Sequence, residues 1–289
     1  MKRRWPWKDL LKDIRERRAS ARRRSDALRL LEQFPRNGGA PRHDLPAKLI
    51  VSLTSYPGRF STLHLTIKSL LDQSVKPDQI ILWLDRASKG LLPAEVTELE
   101  GELFSCRECE DDLRSFNKIV PTLLAHPDAF IAIADDDIYY PDFWLERLVD
   151  AYDPKEPTIV YHRGHRIAYR PDGGLAPYAS WTRGVRDEGS LEPCTNVFPT
   201  GVGGVLYPPK SLPAIATDAK LLRQLSATCD DSWLYFMWRQ TPWKAKRVAG
   251  RMPRFVEWPG SQQSSLQTFH AGGAKDEHLR ALSEYFGTP

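Results

Sequence analysis

Apolar residues recur along the chain with two different periods. Residues 48–54 (KLIVSLT), 79–84 (QIILWL) and 129–134 (AFIAIA) are short, nearly unbroken apolar runs, as expected of strands buried on both faces. Between the first two, residues 60–73 repeat at helical spacing through Leu63, Ile67, Leu70 and Leu71. Residues 92–103, 117–125 (which contain Pro121) and 141–152 are further helix candidates, and 104–110 is a further strand candidate. This β-α-β-α order predicts an α/β fold with a mostly parallel sheet flanked by helices on both faces. After Pro154 the pattern loosens: 158–162 and 166–169 read as strands, with a turn at 171–174.

Ahead of the body, residues 1–34 read as helix from about Trp7 onward. Trp7, Leu10, Leu11 and Ile14 form one apolar stripe, and Arg15, Arg17, Arg18, Arg22, Arg23 and Arg24 crowd the polar face. A Pro/Gly-rich stretch, 35–46, follows. The expected organisation is a basic amphipathic extension with its linker over 1–46 and one catalytic domain over 47–289.

Charge sharpens that division. The whole chain carries +4, yet its first thirty residues hold 12 Lys/Arg against 4 Asp/Glu, leaving −4 for the rest. Tryptophan beside arginine suits an anionic bilayer surface, and a solvated helix packing its stripe on the body is the competing reading. Nucleic acid is not an expected partner, because no recognition module accompanies the tail and the acidic body repels a polyanion.

The 289 residues are ample for a core, and no run approaches 18 uninterrupted apolar residues. No apolar segment follows the basic N-terminus as in a secretory signal. Four cysteines (Cys106, Cys109, Cys194, Cys229) are too few for a disulfide scaffold, and the single CxxC at 106–109 is a poor zinc site. The expectation is a reduced, cytoplasmic protein, peripheral to the membrane if the tail binds lipid.

In parallel α/β sheets ligands bind beyond the carboxyl ends of the strands. The polar residues there are Ser55, Asp85, Asp111, Asp112 and Asp135–Asp137. In IAIADDDIYYP a strand delivers three carboxylates. In extended backbone Asp135 and Asp137 share a side and Asp136 points away, so the outer two converge on a divalent cation. Helix capping by the same aspartates is the plainer alternative. In CDDSWLYFMW (229–238), Asp230 and Asp231 open an aromatic helix, as capping residues or as a general base. The glycines of GVGGVLYPP (201–209) permit close backbone approach, although a tight turn explains them as well. Lys118 is placed to neutralise a leaving diphosphate, but an exposed helix lysine is the commoner role. His162 and His165 point to opposite faces if their segment is a strand. His270 is a candidate third metal ligand.

Taken in order, TSYPGRF (54–60), IILWLD (80–85), DDLRSFNKIVPTL (111–123), ADDDIYYP (134–141), GVGGVLYPP (201–209) and CDDSWL (229–234) resemble a bacterial glycosyltransferase of the family 2 type with a GT-A fold. The resemblance spans roughly 48–240. It implies a nucleotide-sugar donor site at Thr54, Ser55, Asp85, Asp112, Lys118, Asp135, Asp136, Gly203 and Gly204. It further implies Mn2+ or Mg2+ held by Asp137 and Asp135, with His270 as a possible addition, and a base at Asp231 or its neighbour Asp230. The implied reaction is inverting transfer to a glycan or lipid-linked acceptor. Asp85 is followed by Arg86-Ala87-Ser88 rather than by the second Asp and Gly-Ser common in that family, and the QxxRW element of processive synthases is missing. Nucleotidyl transfer on a similar sheet is the main alternative. It usually shows a Gly-rich, Lys/Arg-bearing loop after the first strand, where this chain has SYPGRF with Arg59 alone. A non-catalytic protein of this fold is the other alternative.

Overall fold

The computed structural model describes residues 6–250, 254–261 and 273–289, with side chains from residue 11 onward. Its centre is a seven-stranded sheet in the order β11-β6-β10-β4-β1-β2-β3. These strands are β1 Leu49–Thr54, β2 Gln79–Leu84, β3 Phe104–Glu108, β4 Phe130–Ile133, β6 Ile159–Tyr161, β10 Val205–Tyr207 and β11 Ala245–Arg247. Pairs β1–β2, β2–β3, β1–β4 and β6–β11 are parallel, while β10 runs antiparallel to both its neighbours. The sheet is therefore mostly parallel and reverses at one internal strand.

Alternation along the strands divides the core in two. Leu49, Val51, Leu53, Ile80, Leu82 and Leu84 face one way, onto α2 (Phe60–Leu71) through Phe60, Leu63, Ile67 and Leu70. Ile131, Ile133, Ile159, Tyr161, Val205 and Tyr207 face the other way. That second layer contains the aromatic helix Asp230–Arg239, in which Trp233 through Trp238 are all buried. A helix apolar on every side has to be enclosed. It packs with Leu222 and Leu225 of helix Ala219–Ser226 and Leu279 and Leu282 of helix Ala274–Phe286.

Several elements differ from the periodicity. Residues 92–103 form only a single helical turn, Ala94–Thr97, entered from Pro93 and contributing only Val96 to the core. Residues 117–125 are split into a 3-10 turn, Arg114–Lys118, and a helix, Val120–Ala125. Pro121 lies in that helix's first turn, where its missing N–H breaks no bond. The strand expected at 166–169 lies earlier, at β7 Gly164–Arg166, in a small sheet with β8 Thr182–Arg183 and β9 Val197–Pro199.

Helix α1, Pro6–Leu31, packs on the body toward its C-terminal end. Ala27 and Leu31 are buried with Tyr139, Val256 and Trp258, where β5 (Ile138–Tyr139) pairs with β12 (Val256–Glu257). Leu11 and Ile14 of the apolar stripe are 44% and 37% exposed, so that part of the stripe does not pack on the body. The Pro/Gly-rich stretch is a tightly bonded strap. The buried Asp72 carboxylate accepts from Arg36 Nε (2.6 Å), Arg36 N (2.7 Å) and Asn37 N (2.8 Å), and Asp78 accepts from Leu49 N and contacts His43. Among the described residues no helix is long and apolar enough to cross a membrane.

Candidate active site

A cavity of about 880 Å³ opens where β1, β2 and β4 end. Thr54, Ser55, Asp85, Asp112, Lys118 and Asp135–Asp137 all line it, as do Asp230 and Asp231. Thr54 turns its hydroxyl back to the Trp83 carbonyl, Asp85 caps a helical turn at Ser88 N, and Asp112 accepts from Arg114 N. Gly203 and Gly204 stand elsewhere. Gly203 O accepts from Trp144 Nε1 at 2.8 Å, and Gly204, at φ +86°, lies so close to the Trp144 ring that a Cβ would be 2.6 Å from it. Gly201 and Val202 line the cavity in their place. The loop is glycine-rich for packing on Trp144 as much as for any ligand. His270 lies outside the described residues.

The triple aspartate departs from the extended geometry. The strand stops at Ile133, and the backbone turns at Asp136–Asp137, where Thr66 Oγ1 donates to the Asp136 carbonyl. Asp136 therefore does not point away. Its carboxylate is buried against the Arg59 guanidinium and accepts from Ser55 Oγ at 2.5 Å. Asp137 lies 3.3 Å from the same guanidinium. Asp135 turns instead to Lys118, 2.8 Å away, and its backbone N–H donates to Tyr140 Oη, whose ring packs on Trp144.

Lys118 is the opposite of an exposed helix lysine. It is buried, and its Nζ lies 2.8 Å from Asp135 and 2.7 Å from Asp230. Burial alone would lower its pKa, but Asp135, Asp230 and Asp231 together hold it well above the usual lysine value.

The two carboxylates that open the aromatic helix have different environments. Burial works to raise Asp230, yet the Lys118 charge and hydrogen bond bring it below its ordinary value. For Asp231, burial and then the Asp230 charge raise the pKa, against the pull of Lys275 and Lys118. Asp231 Oδ1 accepts from Gly201 N at 2.8 Å, and its Oδ2 is 3.9 Å from Lys275 Nζ. Asp137 is pushed up to about 7 by burial and the Asp136 charge, with Arg59 opposing.

Arg59 and Lys275 were not assigned roles from the sequence. Arg59 sits in the 3-10 turn Pro57–Arg59 ahead of α2, where only proximity to the triple aspartate in space reveals its partners. Lys275 arrives from the C-terminal helix, far along the chain, with no local pattern to mark it.

The donor set suits a divalent cation bound with phosphate. Eight acidic and six basic side chains line the cavity among the described residues. Asp137 in particular is a carboxylate whose charge is disfavoured by burial and by Asp136, against the pull of Arg59. A cation relieves that cluster, and Mg2+ or Mn2+ commonly takes one or two carboxylates with the remaining positions filled by phosphate and water. No group of three His, Cys, Asp or Glu side chains able to hold an ion by themselves occurs among the described residues.

No protein-family profile and no curated protein sequence matches the chain. Solved structures do. The mannosyltransferase PcManGT from Pyrobaculum calidifontis, in complex with GDP-Man and Mn2+, is similar with a TM-score of 0.51 and 14% identity, over 92% of this chain and 71% of that one. A 4-diphosphocytidyl-2C-methyl-D-erythritol synthase from Anaerococcus prevotii is similar with a TM-score of 0.47 and 12% identity, over 78% of this chain and 96% of that one. A UTP-bound UGPase from Acinetobacter baumannii is similar with a TM-score of 0.41 and 11% identity, over 84% and 96%. At 14% identity the likeness to the mannosyltransferase is one of fold alone. The chain has a mixed α/β architecture of the GT-A kind, with a mostly parallel seven-stranded sheet flanked by helices.

Proposed function

We propose that this chain is a metal-dependent, inverting glycosyltransferase of the family 2 type. It moves a sugar from a nucleotide-sugar donor to a hydroxyl of a glycan or lipid-linked acceptor. The observation that carries the reading is the division of labour between adjacent carboxylates. Asp230 is neutralised by Lys118, while Asp231 lines the cavity with a raised proton affinity and a fixed orientation. A general base works best when its pKa is moved toward the working pH and its geometry is held.

In this reading the acceptor hydroxyl attacks the anomeric carbon and gives its proton to Asp231. The bond from that carbon to the diphosphate breaks, and its electron pair leaves with the nucleoside diphosphate. Direct displacement inverts the anomeric centre. Ser55, Asp85 and the Thr54 segment border the nucleoside, and Lys118 fixes the spacing between Asp135 and Asp230. Asp137, with Asp135, would hold Mn2+ or Mg2+, which would offset charge on the diphosphate. Helix α1 supports a peripheral membrane role, because Leu11 and Ile14 stay exposed on its free part beside the arginines.

Incubation with a panel of sugar nucleotides and Mn2+ tests the reaction class. Release of nucleoside diphosphate is expected. Release of pyrophosphate would instead assign nucleotidyl transfer, and absence of turnover with every donor would reject both.

A further inference from the structure

Besides its acidic residues, the cavity is lined by a group of cations. Arg163 and Arg183, contributed by the small β8-β7-β9 sheet and its approaches, form this basic wall together with Lys275. Neither arginine has an acidic partner within ion-pair distance among the described residues. Arg163 Nη1 donates to Thr200 Oγ1 at 2.9 Å, and Arg183 lies 5.2 Å from the Tyr178 ring centre. Lys275 Nζ lies 4.3 Å from the same ring centre. The three cations surround His165, a buried ring stacked on Phe198 whose Nδ1 accepts from Gly184 N. Burial, and then the charges of Arg163 and Lys275, push His165 down to about 3, so it stays neutral and adds no charge of its own.

This wall adjoins the base directly. Thr200, which holds Arg163, precedes Gly201, whose N–H holds Asp231, and Lys275 reaches Asp231 from the other side. Arg163 and Arg183 bring like charges together without a protein counter-ion, and Lys275 has Asp231 at 3.9 Å, so the pair of arginines gains from an anion placed beside them. An aromatic ring with cations beside it also suits a sugar ring that carries an acid group.

We propose that Arg163, Arg183 and Lys275, arrayed about Tyr178, form an acceptor subsite for an acidic sugar, one bearing a carboxylate or phosphate close to the hydroxyl that is glycosylated. This rests on the transferase reading for the word acceptor, but the anion-binding wall can be measured without turnover. Guanidinium groups pair with either acid in a two-pronged geometry, so the anion itself is distinguished by experiment.

The experiment is calorimetric titration of the full chain with glucose, glucuronate and glucose 6-phosphate, at low and high salt, for wild type and Arg163→Gln/Arg183→Gln. The acidic sugars are expected to bind about tenfold more tightly than glucose at low salt, with that advantage lost in the double variant and reduced by salt. Whichever acidic sugar keeps the larger advantage identifies the acid group. Binding of a nucleoside diphosphate with Mn2+ is expected to be unchanged by the double substitution. Equal binding of glucose and both acidic sugars overturns the proposal, as does an undiminished preference in the double variant. A double variant that loses nucleoside diphosphate binding instead assigns the wall to the donor and also overturns it. Failure of every sugar nucleotide to turn over would remove the transferase reading while leaving these binding results intact.

Discussion

Gly201 donates its backbone N–H to Asp231 Oδ1 at 2.8 Å, and a side chain at that glycine would press on the same carboxylate. A Cβ there would stand 2.9 Å from Lys118 Nζ and 3.3 Å from Asp231 Oδ1. Gly201→Ala is therefore expected to displace both groups. Turnover should fall by about tenfold or more while stability drops by only about 1–3 kcal/mol. Steady-state kinetics set beside chemical denaturation would check this.

Asp231→Asn should remove the base and leave the fold intact, lowering kcat by about 10²–10⁴. Asp230→Asn takes a partner from Lys118, so its loss should appear more in melting temperature than in kcat. Because Asp231 is raised above its ordinary value, the acid limb of the wild-type rate profile should lie above the usual carboxylate range. An acid limb at the ordinary value would count against Asp231 as the base.

Lys118→Met leaves Asp135 and Asp230 facing each other without their cation. Removing one member of a buried ionic cluster typically costs about 3–5 kcal/mol. Asp230 is depressed in the folded state, so its contribution is present above the unfolded carboxylate pKa and is lost as pH falls through the folded one. The gap in stability between variant and wild type should accordingly be widest near neutrality and narrow in acid. Denaturation curves at several pH values measure it.

Asp137 shows the reverse linkage. Its folded pKa is raised to about 7, so the stability it lends is full below its unfolded pKa and is lost as pH rises through 7. In metal-free protein at pH 8, Asp137→Asn should melt higher than wild type, on the order of 5 °C. The same variant should lose the thermal shift that Mn2+ gives the wild type, and with it nucleotide-sugar turnover.

For the tail, the cut must fall before Arg24, whose Nε donates to the Glu257 carbonyl, and before Ala27 and Leu31, which are buried on the body. Deleting residues 1–21 should abolish flotation on anionic vesicles and spare turnover in solution. Equal flotation of the two proteins would end the lipid-surface reading.

The contrast between Lys118 and the three strands explains what a sequence can disclose here. β1, β2 and β4 were legible because burial on both faces demands apolar residues at every position, a local signal. The aspartates at their ends followed from the general placement of ligands in such sheets. Lys118 looks like any helix lysine until β4 and the aromatic helix bring Asp135 and Asp230 to it from 17 and 112 residues away. Arg59 and Lys275 were hidden for the same reason, since charge pairing across the fold leaves no period. Asp136 points toward Arg59 and Ser55 because the strand ends at Ile133 and the chain turns at Asp136–Asp137, where an extended reading carries it on to Asp137.

Helix α1 is anchored to the body toward its C-terminal end, at Ala27 and Leu31. Arg24, one turn before Ala27, also ties the helix to β12 at Glu257, and Glu257 lines the cavity. With 26 residues at 1.5 Å each the helix is about 39 Å long. The helix that carries the exposed Leu11 is thus hydrogen-bonded to a residue that lines the cavity.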